Sequence, residues 1–232
     1  MKIVFLILVL ILLIGTYIFY IKNKLCNNIE NFKISSNFIK RKQEIYNIIL
    51  KKTSNVMNRL NIPFFLSSGT LLGYYREGKI LDHDYDLDVG IFNEDFNTEI
   101  INEMKKEGFV NYRNLGNLEK GYEMSFRLKN SSIGKWAKID IFVHNKEIIN
   151  GKKYIYWASY KKPSYRERIK YRVSDFYIKP ILFNQILLNI PINTEKYLEE
   201  HYGLDWKIPK KPGKKGYYYA TSPVSIVNEE CA

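Results

Sequence analysis

The sequence predicts a mixed α/β (α+β) core, in which helices flank a central sheet, preceded by one N-terminal transmembrane helix. Three observations lead to this prediction. An apolar run fills residues 3–21. Beyond it, a segment with helical periodicity is followed by several short apolar segments with strand character. The residues after the apolar run, about 210 of them, are enough for one domain with its own core.

The N-terminal run is long enough for a membrane helix, because about 20 apolar residues span a bilayer. It is broken only by Gly15 and Thr16, and lysines flank it on both sides. No Ala-x-Ala-like cleavage site follows, so an uncleaved signal anchor at residues 1–21 is favoured over a removed signal peptide. A buried core helix is disfavoured because the segment has no polar face. The lipid bilayer is therefore a predicted partner.

A juxtamembrane linker is predicted at residues 22–35, which contain several Asn residues, and a helix follows it. The helix is predicted because apolar side chains recur on one face with a period of 3.6 residues and would pack against the sheet. Those residues are Ile45, Ile49, Val56 and Leu60.

A second helix is predicted near residues 95–107, ending at Gly108. The remaining regular structure is extended, since short apolar segments are bounded by turn-forming residues. Strands are predicted near residues 64–67, 86–92, 109–113, 122–128 and 138–143.

The strongest functional signal is the group Asp84, Asp86 and Asp88, which stands in an apolar, strand-like setting. Alternation along a strand would send the three carboxylates to one face, where they repel one another and are costly to bury unless a cation holds them. Oxygen ligands select hard cations, so Mg²⁺ or Mn²⁺ is predicted, with open positions for substrate phosphates. We therefore predict a phosphate-handling active site.

A solvated acidic loop and a calcium turn are the other interpretations of these aspartates. A calcium loop of the EF type needs Gly at its sixth position and Glu at its twelfth. This chain has Val89 and Asp95 there, which disfavours calcium.

A turn of small residues precedes the aspartates by about 15 residues and joins a buried strand to a short helix. The backbone N–H groups at such a helix start form an anion site, so Ser68, Gly69 and Thr70 are predicted to cradle a phosphate. Gly69 would let the phosphate approach the backbone closely. Arg76, one to two turns further along, is predicted to contact the same phosphate through its guanidinium.

The order and spacing of these segments resemble the LicD/fukutin family of phosphotransferases, whose core is a variant nucleotidyltransferase fold. The resemblance covers roughly residues 40–210 and is carried by four segments. They are Ser68-Gly69-Thr70-Leu71-Leu72-Gly73 with Arg76 and Gly78; Asp84-Tyr85-Asp86-Leu87-Asp88-Val89-Gly90; Lys138-Ile139-Asp140-Ile141-Phe142; and Tyr197-Leu198 with Tyr202-Gly203-Leu204-Asp205-Trp206 through Pro209.

The resemblance implies a catalytic domain at residues 36–206 that moves a phospho-alcohol, such as phosphocholine or ribitol phosphate, from a CDP-linked alcohol to a glycan hydroxyl. Asp86 and Asp88 would hold Mg²⁺ or Mn²⁺, and Asp140 would complete the metal site or take the acceptor's proton. Asp84 would be a supporting metal ligand. Two alternatives are nucleotidyl transfer from an NTP and an inactive, membrane-anchored scaffold that has kept the fold.

The charge distribution and the family resemblance predict opposite membrane orientations. Positive charges are more numerous after the predicted anchor than before it, which places the catalytic domain in the cytosol. The resemblance to fukutin instead implies a lumenal, type II arrangement, which we favour slightly. The sequon Asn130-Ser131-Ser132 would be glycosylated only in a lumenal domain.

The net charge of +12 is scattered along the chain, so a nucleic-acid partner is not predicted, although the excess would attract a diphosphate donor. The aromatic and basic segment 154–177 has two interpretations, as one wall of the substrate cleft or as an aromatic edge of the core. The C-terminal segment 207–232 is basic and rich in Tyr, and is predicted to be an extended surface tail.

Overall fold

The computed structural model of the chain describes residues 2–161, 167–209 and 223–228. It contains a mixed α/β arrangement of four α-helices and ten strands within those residues. The helices are α1 (Lys2–Arg59), α2 (Ser68–Glu77), α3 (Ile100–Lys106) and α4 (Thr194–Tyr202). The strands are β1 (Phe64–Leu66), β2 (Leu87–Phe92), β3 (Phe109–Asn117), β4 (Gly121–Leu128), β5 (Lys138–Ile149), β6 (Lys152–Lys161), β7 (Glu167–Ser174), β8 (Ile178–Phe183), β9 (Ile186–Pro191) and β10 (Pro223–Asn228).

Helix α1 runs without interruption through the segment predicted as a linker, residues 22–35, so the backbone there is helical. Two compact units divide the chain at Met1–Arg41 and Lys42–Ala232. None of the helices, over the residues the structure describes, combines the length and apolar character that crossing a bilayer requires. The side chains of most of the predicted anchor, residues 1–21, fall outside the described set, so the anchor stays a prediction.

The main sheet is built around the long strand β5. The first part of β5 pairs in parallel with β2 and, on its other side, antiparallel with β4. Its second part pairs antiparallel with β6. Strand order along the sheet is β1-β2-β5-β6-β7-β10, with β3 joined through β4, and β8 and β9 form a separate two-stranded sheet. The predicted mixed central sheet is confirmed.

The predicted strands are present, whereas the helix predicted at 95–107 is shorter. A 3₁₀ helix at Asn93–Asp95 comes first, and α3 begins only at Ile100. The delay has a local cause, because the side chain of Asn97 accepts a 2.9 Å hydrogen bond from the Glu99 N–H and so competes with helical pairing. Gly108 has the left-handed φ of +91° after α3 ends, as a helix-terminating glycine does.

The core lies between the sheet and the C-terminal part of α1. Of the predicted helix face, Ile49 and Val56 are fully buried, and Ile45 and Leu60 are partly buried against the same cluster. Apolar burial, the main favourable term in folding, therefore holds residues 42–59 of α1 in place within the second unit.

Of the two interpretations of segment 154–177, a wall of the substrate cleft or an aromatic edge of the core, Trp157 supports the core. Trp157 is 1% exposed and stacks on His144 at 4.8 Å and on Tyr197 at 5.8 Å between ring centroids. The residues at 162–166 lie outside those described. Part of the predicted surface tail is instead an edge strand, since β10 pairs antiparallel with β7. The tail residues 210–222 and 229–232 lie outside the described part of the chain.

Candidate active site

The centre of the candidate site is a pair of aspartates on neighbouring strands. The parallel register of β2 and β5 places Asp88 directly beside Asp140. Asp140 is 5% exposed. The side chains of Asp84 and Asp86 join this pair from the segment immediately before β2. Strand alternation is therefore not what gathers the carboxylates, because β2 begins at Leu87, after two of the three aspartates.

The small-residue turn before α2 contacts these aspartates directly. The Gly69 N–H donates a 3.2 Å hydrogen bond to Oδ2 of Asp88, and the Asp88 N–H donates a 2.7 Å bond to the hydroxyl of Thr70. A Cβ atom on Gly69 would lie 2.5 Å from Oδ2 of Asp84, which is too close for any side chain. In the structure the turn positions the carboxylates, and the predicted phosphate contacts of Gly69 and Thr70 stay predictions.

Ser68 begins α2 with an unusual backbone conformation. Its φ is +45°, a left-handed value that is uncommon for residues other than glycine and is often found at functional sites. The neighbouring Ser67 hydroxyl lies 3.0 Å from the Tyr197 hydroxyl. That contact joins the turn to α4, so the C-terminal segment of the resemblance supports the site.

Arg76 makes its described hydrogen bonds away from the aspartates. Its Nη1 donates a 3.0 Å bond to the carbonyl oxygen of Trp206, and its Nη2 donates a 2.8 Å bond to Oε1 of Glu77. These bonds connect α2 to the segment after α4. The phosphate contact predicted for Arg76 stays a prediction.

Three basic side chains partly balance the aspartates. The Lys138 ammonium contacts Oδ2 of Asp86, and Nη2 of Arg113 lies 3.8 Å from Oδ2 of Asp140. Lys42, on α1, is 1% exposed and donates hydrogen bonds to the main-chain carbonyl oxygens of Asp82 and Asp84, at 2.5 and 2.8 Å. Lys42 therefore fixes the backbone of the loop that carries the aspartates.

The ionised form of the cluster is disfavoured by burial and mutual repulsion. Burial, followed by the nearby Asp86 charge, raises the pKa of Asp84 to about 8. Burial raises the pKa of Asp88 well above its ordinary value, with further contributions from Asp86, Asp84 and Asp140. The pKa of Asp140 is raised mainly by burial and then by Asp86. A site whose carboxylates resist ionisation in this way would gain from added positive charge.

A fifth carboxylate, that of the buried Glu123 on β4, extends the cluster. It is 3% exposed and contacts Arg113, and burial together with Asp140 raises its pKa to about 7. Sequence reasoning missed Glu123, although a charged residue inside the predicted strand 122–128 was a usable signal. It also missed Lys42 and Arg113, for which one lysine on a long helix and one arginine on a strand offered no distinguishing signal.

A divalent cation fits these residues in donor chemistry. The cluster presents only carboxylate oxygens, the ligands that Mg²⁺ and Mn²⁺ prefer. Oδ1 of Asp140 is buried and has no hydrogen-bond partner among the described residues, so this oxygen is available as a ligand. As they stand, however, no three His, Cys, Asp or Glu side chains in the described part of the chain are positioned to hold a metal ion.

A separate cavity of about 530 Å³ lies at the other end of β2 and β5, and does not include the aspartates. It is lined by Phe92, Lys146, Asp175, Phe176 and Tyr177, among others. The chemistry of the carboxylate cluster therefore identifies the candidate site, and cavity size does not.

The comparisons with known proteins agree with this geometry. The model of the LicD/FKTN/FKRP family, nucleotidyltransferase domain, matches residues 61–193, which include the small-residue turn and all four aspartates. The ribitol-5-phosphate transferase FKTN of Homo sapiens is 31% identical over 163 residues, covering 70% of this chain and 33% of that protein. The same transferase of Mus musculus is 32% identical over 174 residues, covering 75% and 35%.

A further relative is an uncharacterized protein of Caenorhabditis elegans, 30% identical over 166 residues, covering 67% of this chain and 42% of that protein. The chain therefore spans about a third of the length of the two mammalian transferases. The family match extends over more than half of the chain and contains the site described above. The chain belongs to the LicD/fukutin family of phosphotransferases and carries its nucleotidyltransferase domain.

Proposed function

We propose that the chain transfers a phospho-alcohol, of the phosphocholine or ribitol-phosphate kind, from a CDP-linked alcohol to a hydroxyl of a glycan or glycoconjugate, and that it requires Mg²⁺ or Mn²⁺. The observation that carries the proposal is the convergence of Asp84, Asp86, Asp88 and Asp140 beside the Gly69 turn. The family supports the reaction class, and the transferase name of the mammalian relatives supports ribitol phosphate as one donor group.

Four carboxylates, those of Asp84, Asp86, Asp88 and Asp140, would hold the cation. A bound divalent cation would neutralise the donor diphosphate and the negative charge that develops during transfer. Other side chains of the chain keep these carboxylates in position. Lys42 fixes the loop that carries Asp84, and Thr70 anchors the backbone of Asp88.

In the proposed reaction the acceptor oxygen forms a bond to the phosphorus that bears the alcohol. The bond from that phosphorus to the bridging oxygen breaks, and CMP leaves with the bonding electrons. The hydroxyl proton passes to a carboxylate, for which Asp140 is the candidate because its Oδ1 has no hydrogen-bond partner among the described residues. Asp140 is either this base or a ligand of the cation.

Calorimetric binding to the full chain, purified in mild detergent, tests the proposal. CDP-choline, CDP-ribitol, CDP-glycerol and CTP are titrated with and without Mn²⁺, beside Asp86→Asn and the matched control Asp95→Asn. Metal-dependent binding of one CDP-alcohol that Asp86→Asn abolishes is expected. Binding of CDP-alcohols that is equal in the presence and absence of metal, or no binding by folded protein, would count against the proposal.

Nucleotidyl transfer is the second candidate, because the matching family model is described as a nucleotidyltransferase domain. The same carboxylates would then serve attack on the α-phosphate of an NTP. The released product separates the two reactions, since phospho-alcohol transfer yields CMP and nucleotidyl transfer yields pyrophosphate. A folded protein that binds neither donor would instead favour the scaffold interpretation.

We further propose that residues 1–21 anchor the chain in a membrane, with the catalytic domain on the lumenal side. The support is the apolar run at residues 3–21 and, for the lumenal side, the resemblance to fukutin; the exposed Asn130 in its sequon makes the orientation testable. Expression in eukaryotic cells and digestion with a glycosidase specific for N-linked sugars test the orientation. A mass shift that Asn130→Gln removes is expected, whereas protease accessibility of the domain from the cytosol would contradict a lumenal site.

A further inference from the structure

Two aromatic side chains in contact, one exposed and one half-buried, lie beside the carboxylate cluster. The rings of Tyr85 and Trp136 lie 4.5 Å apart between centroids at an interplanar angle of 32°. Tyr85 is 47% exposed, and Trp136 packs partly against the core. We call this pair the aromatic platform. Tyr85 is the exposed part of the platform, and Trp136 joins the platform to the core.

The aromatic platform is tied to the aspartates by several contacts. Tyr85 stands between Asp84 and Asp86, and its N–H donates a 3.1 Å hydrogen bond to Oδ1 of Asp84. Lys138 follows Trp136 by two residues and contacts Asp86. A ligand whose phosphates are held at the carboxylates therefore has these rings close to it.

One lysine lies close to each ring, the buried Lys42 near Tyr85 and the exposed Lys135 near Trp136. The Lys42 ammonium lies 6.0 Å from the Tyr85 ring centroid, and the Lys135 ammonium lies 4.7 Å from that of Trp136. One exposed aromatic residue needs no functional explanation. Two rings in close contact, with the positive charge of Lys135 beside them and an acidic cluster next to them, present an aromatic surface and charge to a planar ring that carries phosphates.

We propose that the aromatic platform stacks on the nucleobase of the nucleoside diphosphate donor. The identity of the ligand as a nucleoside diphosphate rests on the proposed function. Stacking on an aromatic side chain tolerates different bases, because every base has a π-face. The platform therefore supplies affinity for the nucleoside, and the carboxylate cluster engages the diphosphate.

The expected loss of nucleotide affinity is taken from proteins that stack the bases of single-stranded nucleic acids on aromatic side chains. Removing one aromatic ring weakens base binding by about 10-fold to 100-fold. Tyr85→Ala is expected to weaken CDP binding by that factor, and UDP and ADP binding in parallel. Pyrophosphate, which has no base, is expected to bind Tyr85→Ala as it binds the wild type.

Tryptophan fluorescence gives a readout that does not depend on turnover. The chain has three tryptophans. Trp157 and Trp206 are 1% and 6% exposed, so a ligand-induced change in emission reports Trp136. The full chain in mild detergent with Mg²⁺ is titrated with CDP and, separately, with pyrophosphate. CDP is expected to quench the emission and pyrophosphate to leave it unchanged, and Trp136→Phe is expected to lose the quenching while still binding CDP by calorimetry.

The control is Tyr177→Ala, which removes a 79% exposed tyrosine at the other end of the sheet and is expected to leave CDP binding unchanged. Equal losses of CDP and pyrophosphate affinity in Tyr85→Ala, or wild-type quenching in Trp136→Phe, would overturn the aromatic platform alone. A folded wild type that binds neither probe would overturn the proposed function and the platform together.

Discussion

The ammonium of Lys42 donates a 2.8 Å hydrogen bond to the main-chain carbonyl oxygen of Asp84, so helix α1 holds the backbone of the aspartate loop. Lys42 is nearly inaccessible, and burial lowers its pKa although the neighbouring Asp84 and Asp82 carboxylates raise it. A lysine is costly to place in such a position unless its charge and hydrogen bonds are used. Its use here is structural support of the site.

Lys42→Met is expected to release this loop while keeping the apolar length of the side chain. Two carbonyl oxygens lose their donor, so the free energy of unfolding is expected to fall by about 1–3 kcal/mol. Turnover is expected to fall by about 10-fold to 100-fold, the range for residues that orient metal ligands. Urea unfolding and donor turnover measure the two effects. The exposed Lys51 on the same helix provides the control, and Lys51→Met is expected to change neither.

Asp88→Asn is expected to abolish turnover and to raise the melting temperature of the metal-free chain at pH 7.5. The rise follows from the raised pKa of Asp88, because the folded state disfavours its charged form and Asn carries no charge. Added Mn²⁺ is expected to stabilise the wild type and to have little effect on the variant. Thermal unfolding with and without Mn²⁺ checks this, and an unchanged Mn²⁺ response would remove Asp88 from the predicted metal ligands.

Gly69→Ala is expected to displace the Asp84 carboxylate, since the added Cβ would lie 2.5 Å from its Oδ2. Turnover is expected to fall by about 10-fold to 100-fold, as for other changes that misplace a metal ligand. Gly90→Ala is the contrast, because its Cβ would meet the buried ring of Phe65 at 2.4 Å and is expected to lower the melting temperature. Activity per folded molecule and melting temperature, measured together, separate the two; an active Gly69→Ala would contradict the close approach.

Two buried histidines each make a contribution that destabilises the folded chain as the pH falls. Burial lowers the pKa values of His144 and His201 to about 3, against about 6.5 in the unfolded chain. Between pH 6.5 and 3 the histidines bind protons in the unfolded chain but not in the folded chain, so their effect is to lower the free energy of unfolding as the pH falls. Above pH 6.5 this effect is absent. Each histidine costs about 1.4 kcal/mol per pH unit in that window. Urea unfolding at pH 7.5, 6 and 5 measures the slope.

The raised pKa values of Asp84, Asp88, Asp140 and Glu123 contribute with the opposite sign, so the histidine effect is measured as the difference between the wild type and histidine variants. Relative to the wild type, His144→Gln and His201→Gln are each expected to gain stability as the pH falls from 7.5 to 5, even if the variants are less stable at neutral pH. A wild-type slope between pH 6.5 and 5 in both variants would assign the acid sensitivity to other groups.

The sequence by itself determined the family, the mixed sheet and the aspartates of the site. These are local signals: the small-residue turn, the Asp84 to Asp88 spacing and the alternating apolar segments each occupy fewer than about ten neighbouring residues, the scale on which periodicity and turn chemistry act. The strand that carries Asp140 was likewise predicted from its own composition.

Only the tertiary structure decided which other side chains surround the aspartates. The parallel pairing of β2 and β5 sets Asp88 beside Asp140, and β4, on the other side of β5, brings the buried Glu123. Lys42 reaches the loop from a helix 42 residues away in the sequence. Such long-range contacts depend on strand register and helix packing, which one-dimensional periodicity does not encode, because a shift of one residue would turn each strand side chain to the other face.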